Sequence, residues 1–192
     1  PSPFYDNKNN GTYFMVQSWN DQIWLVPSSK VLDQWLMMKK KGFDTKYPDL
    51  YAMALIFKVF AGHRLVDVFG PLPYSLYGTA SEVKFDSEEE AYNLFFEELR
   101  KAVADLTAAE TADPNADKIR YARFDKSRYG GNYATWIKVA NTLRLRLAIR
   151  ISRVNPAKAK TEAQAAINDG GLLEGALPSF EMSTGTVHPL LT

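Results

Sequence analysis

From Tyr47 to Tyr74 the chain runs YPDLYAMALIFKVFAGHRLVDVFGPLPY, and its apolar residues recur at helical spacing on more than one side. Tyr51, Leu55 and Val59 fall along one line and Met53, Ile56, Phe57 and Phe60 along another; Lys58, His63, Arg64 and Asp67 interrupt them. A helix apolar on nearly every side has to be covered on nearly every side. Pro48 suits a first turn, where its missing N–H costs no intrahelical bond, and Gly70-Pro71 forbids continuation. The pattern predicts a central buried helix that empties into a stiff loop carrying aromatic residues.

Four further stretches carry the same period. A helix is expected from Asn20 to about Lys41, with Trp24, Val31, Trp35 and Met38 inward, Lys39-Lys40-Lys41 in its last turn and Gly42 as its stop. Pro27-Ser28-Ser29 predicts a break in it or a late start. Ser87 with Glu90 has the form of a capping box, opening a helix that runs to about Ala109 with Ala91, Leu94, Phe95, Leu99, Ala102, Val103 and Leu106 on its apolar face. Asn132 or Thr135 caps a helix from Tyr133 to about Val154. Inside it Leu143-Arg144-Leu145-Arg146-Leu147 alternates as a strand does, yet Trp136, Ala140, Leu143, Leu147 and Ile151 share one helix face, and helix is the reading. Asn155-Pro156 starts a fifth helix at once, and Gly170-Gly171 stops it.

Residues 1–17, 110–131 and 172–192 are expected as loops. Five helices in hairpin order with no strand signal predict an all-α fold of antiparallel helical hairpins with long irregular loops, one domain over residues 1–192. No strict repeat of ~34 residues marks the chain as a regular tetratricopeptide array.

Composition narrows the function classes. Of 192 residues 46% are hydrophobic and 23% charged, ordinary for a globular protein, and the net charge of +1 sets up no field that recruits nucleic acid or an acidic membrane. The absence of cysteine removes disulfides, thiolate chemistry and cysteine metal sites. No apolar run approaches the ~20 residues needed to span a bilayer, and the opening PSPFYDNKNNGTY is not a signal peptide. Both ends look cut, so a fragment of a longer chain is expected.

The candidate chemistry is thin. His63 and Asp67, four apart on one helix, form a conceivable acid–base pair, but an interhelical hydrogen bond at the core edge is the expected role. Asp113-x-Asn115-x-Asp117 begins like a calcium loop, then fails where Lys118 replaces the turn glycine and Phe124 the bidentate glutamate. Arg146, Arg150 and Arg153 make a basic stripe; pairing with the acidic helix at 88–98 is expected over nucleic acid. Asn10-Gly11-Thr12 matches a glycosylation acceptor. No nucleophile elbow, phosphate loop or dinucleotide fingerprint occurs, and neither a metal nor any cofactor is called for. What remains is aromatic content of 13%, with Tyr5, Tyr13, Tyr74, Tyr77, Tyr121 and Tyr129 in expected loops, where flat rings with a polar edge suit stacking on sugars.

Three segments bear a family resemblance: HRLVDVFGPLPYS (63–75), KFDSEEEAYNLFFEELRKAVADL (84–106) and RYGGNYATWIKVANTLRLRLAIRISRVNPAKAKTEAQAAINDGGLL (128–173). In order and spacing they resemble the SusD/RagB family of outer-membrane nutrient-binding lipoproteins of Bacteroidetes. Pro71 replaces the usual acidic residue after Gly70, and Asn132 the aspartate after Gly130-Gly131. The resemblance implies a tetratricopeptide-like helical scaffold on the cell surface, lipid-anchored at the outer membrane through a cysteine this chain does not contain. It implies capture of a glycan, or a peptide, for a SusC-like TonB-dependent transporter, without catalysis. The family's aromatic sites vary between members, so Tyr74, Tyr77 and Tyr129 are nominated as ligand contacts from their loop positions alone. The alternative reading is a helical scaffold that only holds a partner protein.

Overall fold

The computed structural model describes residues 17–80, 82–115, 122, 125–127 and 129–174. Helices α1 (Gln17–Pro27) and α2 (Asp33–Lys40) are joined by a π-helical turn, Ser28–Leu32. A short α3 (Phe43–Lys46) follows, then α4 (Pro48–Phe69), α5 (Glu88–Ala112), α6 (Tyr133–Arg150) and α7 (Pro156–Asn168). No strand occurs among the described residues; one isolated bridge joins Leu72 to Asp86. The all-α reading holds, and so does helix rather than strand over Leu143–Leu147.

The helix ends show why these boundaries form. Ser87 accepts from the Glu90 N–H at 3.2 Å while the Glu90 carboxylate accepts from the Ser87 N–H at 2.7 Å, a reciprocal capping box. Asn132, not Thr135, caps α6 by accepting from the Thr135 N–H at 2.9 Å, and Asn155 caps α7 ahead of Pro156. Gly42 closes α2 at φ 73°, a left-handed angle that glycine adopts without strain.

Pro27 neither breaks the first helix nor delays it. Lacking an N–H, it opens the ladder into a wider turn, in which the Asp33 N–H reaches Ser28 O. The hydroxyls of Ser28 and Ser29 donate back to the carbonyls of Trp24 and Leu25 at 2.7 and 2.6 Å. The helix already includes Gln17, ahead of the Asn20 start that its apolar pattern predicts, and α1 buries no residue. At the far end α6 stops at Arg150, a turn early, and residues 151–154 form turns.

Successive helices pair antiparallel: α4 on α5, α5 on α6, α6 on α7. Alternate helices therefore run parallel. Along α4 and α6, Asp49 meets Tyr133, Phe57 meets Trp136 and Asp67 meets Arg150. Along α5 and α7, Asn93 meets Lys158 and Arg100 meets Glu162. This two-layer stacking of helical hairpins is tetratricopeptide-like. Phe95, Leu99 and Leu106 of α5 are wholly buried between α4 and α6, each contributing about 1.5–3 kcal/mol of transfer free energy. The central helix α4 is buried on most sides, as its sequence demands, but a strip through Phe60, Arg64, Asp67 and Val68 stays exposed.

Candidate functional site

The loop after α4 is tied down at both ends. Gly70, at φ 76°, turns the chain, and the Asp86 N–H donates to Leu72 O at 2.9 Å. The Asp86 carboxylate accepts from the Ser75 N–H and hydroxyl, each at 2.6 Å. Within this frame the nominated tyrosines separate. Tyr74 is 1% exposed: its ring lies on Gly62, edge-on to Phe95, and its hydroxyl donates to Glu98. It offers no face for a sugar in this fold. The apolar pattern could not show this, because the loop folds back over its own helix.

The same loop seats a buried cation. Lys58 Nζ sits 3.9 Å from the ring centres of both Trp35 and Tyr74 and pairs with Glu98. Burial pulls the ammonium's proton affinity below its ordinary value, against the pull of Glu98. Burial likewise pushes the Tyr74 phenol up, and the adjoining Glu98 adds to that. Lys58, Tyr74 and Glu98 thus satisfy one another in the core.

Tyr77 and Tyr129 are half-buried, and the Tyr129 hydroxyl is turned inward. Tyr77 is half-buried and donates to Asp33 of α2 at 2.7 Å; burial, then Asp33, raises its phenol to about 12. Tyr129 stands in the loop before α6, its ring 5.7 Å from Trp136 at an interplanar angle of 83°, and Trp136 in turn meets Phe57. Asp125 braces that loop, accepting from the Ser127 N–H at 2.8 Å, the Gly131 N–H at 2.6 Å and Trp136 Nε1 at 2.9 Å. Burial would raise its carboxyl, but these hydrogen bonds outweigh burial and lower it. Tyr77 and Tyr129 thus belong to different clusters, one against α2 and the other against α6.

The conceivable His63–Asp67 pair does not form. His63 is 1% exposed, its Nδ1 is 3.1 Å from Val59 O, and burial lowers its proton affinity. Asp67 instead accepts from the Tyr92 hydroxyl at 2.7 Å and pairs with Arg150 at 2.9 Å. Arg150 therefore finds its carboxylate on α4, not on the acidic start of α5. Arg144, which the stripe left out, is buried and bridges Glu162 and Asp169, each at 2.7 Å. Asp113 closes a local turn by accepting from the Asn115 N–H, and no metal-binding cluster occurs among the described residues. The glycosylation motif, Tyr5, Tyr13, Tyr121, Asp117, His188 and residues 175–192 lie outside the described residues.

A groove of about 950 Å³ opens where the C-termini of α4 and α6 meet the N-termini of α5 and α7. Val66, Phe96 and Ile151 line its apolar side; Asp67, Tyr92, Arg150 and Lys158 supply polar groups. Glu88 and Glu89 at the start of α5 line it as well, and no sequence signal marked it, because it is assembled from helix ends far apart along the chain.

A family profile described as "SusD-like: Susd and RagB outer membrane lipoprotein" matches residues 1–192. The chain belongs to the SusD-like family. Among solved structures, this SusD-like chain is similar to a chitin-binding SusD homolog from Flavobacterium johnsoniae, at 40% identity and a TM-score of 0.78. That match covers 88% of this chain and 35% of the other. A SusD-like protein from Bacteroides thetaiotaomicron matches at 30% identity and a TM-score of 0.76, over 89% of this chain and 34% of its own. A SusD homolog from Bacteroides uniformis matches at 42% identity and 0.64, over 73% and 28%. The chain thus spans about a third of the length of these relatives. No curated protein matches it. The family is one of outer-membrane lipoproteins, and no described helix is long and apolar enough to cross a membrane.

Proposed function

We propose that this SusD-like chain serves non-covalent capture of a glycan at the cell surface and its delivery to a SusC-like TonB-dependent transporter. The observation that carries the reading is the 40% identity, over 88% of the chain, to a homolog described as chitin-binding. An oligosaccharide of N-acetylated sugars is accordingly the first ligand to try, with peptides as the other class. Binding proceeds by ring stacking and hydrogen bonds, without a covalent step. The burial of His63 and the engagement of Asp67 by Tyr92 and Arg150 support a binding role over hydrolysis. Tyr77 and Tyr129 are the proposed ring contacts, with Tyr74 holding the loop that presents Tyr77.

Calorimetric titration of the purified protein with chitin oligosaccharides, a polysaccharide panel and peptides tests the reading. Expected is saturable glycan binding that Tyr77→Ala or Tyr129→Ala weakens by about twofold to tenfold, since one stacked ring contributes about 0.5–1.5 kcal/mol. Failure to bind any glycan, with the transporter still retained on the protein, leaves the scaffold reading in its place.

A further inference from the structure

We propose that Asp33, beside Tyr77, is a second ligand contact, a carboxylate that admits neutral and amino sugars and turns away acidic ones. This assignment rests on the glycan-binding function proposed above and names the sugars that the Tyr77 site takes. Tyr77 donates to Asp33 Oδ1 at 2.7 Å, so a half-buried ring and an exposed carboxylate stand side by side.

The backbone explains how they meet. Asp33 is the first residue of α2, a position where a carboxylate ordinarily offsets the positive end of a helix. Here there is no such end. Pro27, Leu32 and Asp33 all keep right-handed helical angles, and the Asp33 N–H donates to Ser28 O, so α1, the π turn and α2 run on as one helix. The wider turn takes up one extra residue, and side chains beyond it emerge one position out of step with α1. Leu32 is accordingly the wholly buried residue, where spacing from Trp24 pointed to Val31, which is half-buried. Asp33, next along, comes to the rim of the buried side, within reach of Tyr77. Widened turns of this kind occur frequently at functional sites.

The loop is fixed against that rim. Ser75 is bound to Asp86 and Tyr74 to Glu98. Gly78, at φ 69°, lies so close to α2 that an added Cβ would overlap Leu36. The ring and the carboxylate are therefore in place before a ligand arrives, which lowers the ordering cost of binding.

The chemistry selects the sugar. Among the described residues Asp33 enters no ion pair, not even with Lys30 three residues earlier. An ionised carboxylate only accepts, and the Tyr77 hydroxyl occupies one of its several acceptor positions. The others call for donors: sugar hydroxyls, an acetamide N–H or an ammonium group. A uronate or sulfate would meet it as a like charge. Met37, one turn beyond Asp33, is 46% exposed and Leu76, next to Tyr77, 41%, so apolar surface for a sugar's C–H face or an acetyl methyl flanks the pair.

The test is calorimetry on the full-length protein with three probes of equal length: a chitin oligosaccharide, its deacetylated counterpart and an oligogalacturonate. The wild type is expected to bind the first two, the deacetylated one more tightly as salt is lowered, and not the third. Asp33→Ala is expected to weaken the chitin oligosaccharide at least about tenfold, as for one lost hydrogen bond to a charged group. Asp33→Asn, which keeps the shape, should abolish the salt-sensitive advantage of the deacetylated probe. Both variants should keep the wild-type helical circular dichroism. Tyr77→Phe separates contact from anchor, because it keeps the ring and deletes the bond to Asp33. Asp33→Ala is expected to weaken binding further in that background; no further loss makes Asp33 a mere anchor and overturns the inference alone. Oligogalacturonate binding as tight as that of the neutral sugar overturns it too. The same readouts hold for any other neutral glycan that the polysaccharide panel returns. Glycan binding indifferent to Tyr77→Ala removes the ring contact and this inference together, and no wild-type glycan binding removes both with the function itself.

Discussion

Gly62 and His63 are neighbours whose roles neither residue type announces. Gly62 sits inside α4, where glycine usually costs helix stability, and alanine at an exposed site would gain about 1 kcal/mol. Here an added Cβ would overlap the Tyr74 ring and come within 3.2 Å of Phe95. Gly62→Ala is therefore expected to destabilise by about 1–3 kcal/mol, read as a lower urea midpoint at unchanged slope. His63 predicts a pH effect whose sign follows from its burial. Burial chiefly, with Arg146 and Arg150 adding to it, lowers its proton affinity below the ordinary 6.5, while the Val59 carbonyl and Asp67 pull the other way. The unfolded chain accordingly takes up a proton that the folded chain refuses, and stability present above pH 6.5 drains as the pH falls through the lower, folded value. Comparing urea midpoints at about pH 7.5 and about pH 5 checks this: His63→Leu is expected to narrow the gap. That histidine was expected at the core edge with a partner on another helix, but it is buried against Val59 O of its own helix, while Asp67 is taken by Tyr92 and Arg150 from two other helices.

Whole elements were the most legible feature of the chain. Caps act within one turn and apolar faces repeat every few residues, so Ser87–Glu90, Asn155-Pro156 and Gly70-Pro71 marked their boundaries in one dimension. The cap is expected to contribute measurably: Ser87→Ala should lower stability by about 1 kcal/mol in thermal unfolding, because it orphans the Glu90 N–H. The π turn escaped notice for the opposite reason. A proline inside a helical pattern admits a break, a kink or a widened turn, and here the widened turn is accompanied by Ser28 and Ser29, whose hydroxyls donate back to the carbonyls one turn earlier. The early end of α6 and the unburied α1 were equally hidden, since exposure depends on what the rest of the molecule covers.

At the scale of the molecule, hairpin order gave the stacking, and the family resemblance gave the tetratricopeptide-like scaffold that the relatives share. Long-range charge pairing was beyond reach: Arg144 with Glu162, Lys58 with Glu98 and Arg150 with Asp67 each join different helices. The burial of Tyr74 follows from the same cause, the return of a loop onto α4 and α5. Lys58 then carries a practical consequence. An amine wedged between two rings and a carboxylate cannot meet an acylating reagent until α2, α4 and the loop part. N-hydroxysuccinimide esters should tag the exposed Lys39, Lys40 and Lys41 within the first moments and reach Lys58 only at the pace of interior breathing. Mass spectrometry of that one late adduct would serve as a stopwatch for the opening of the protein, with no engineered probe.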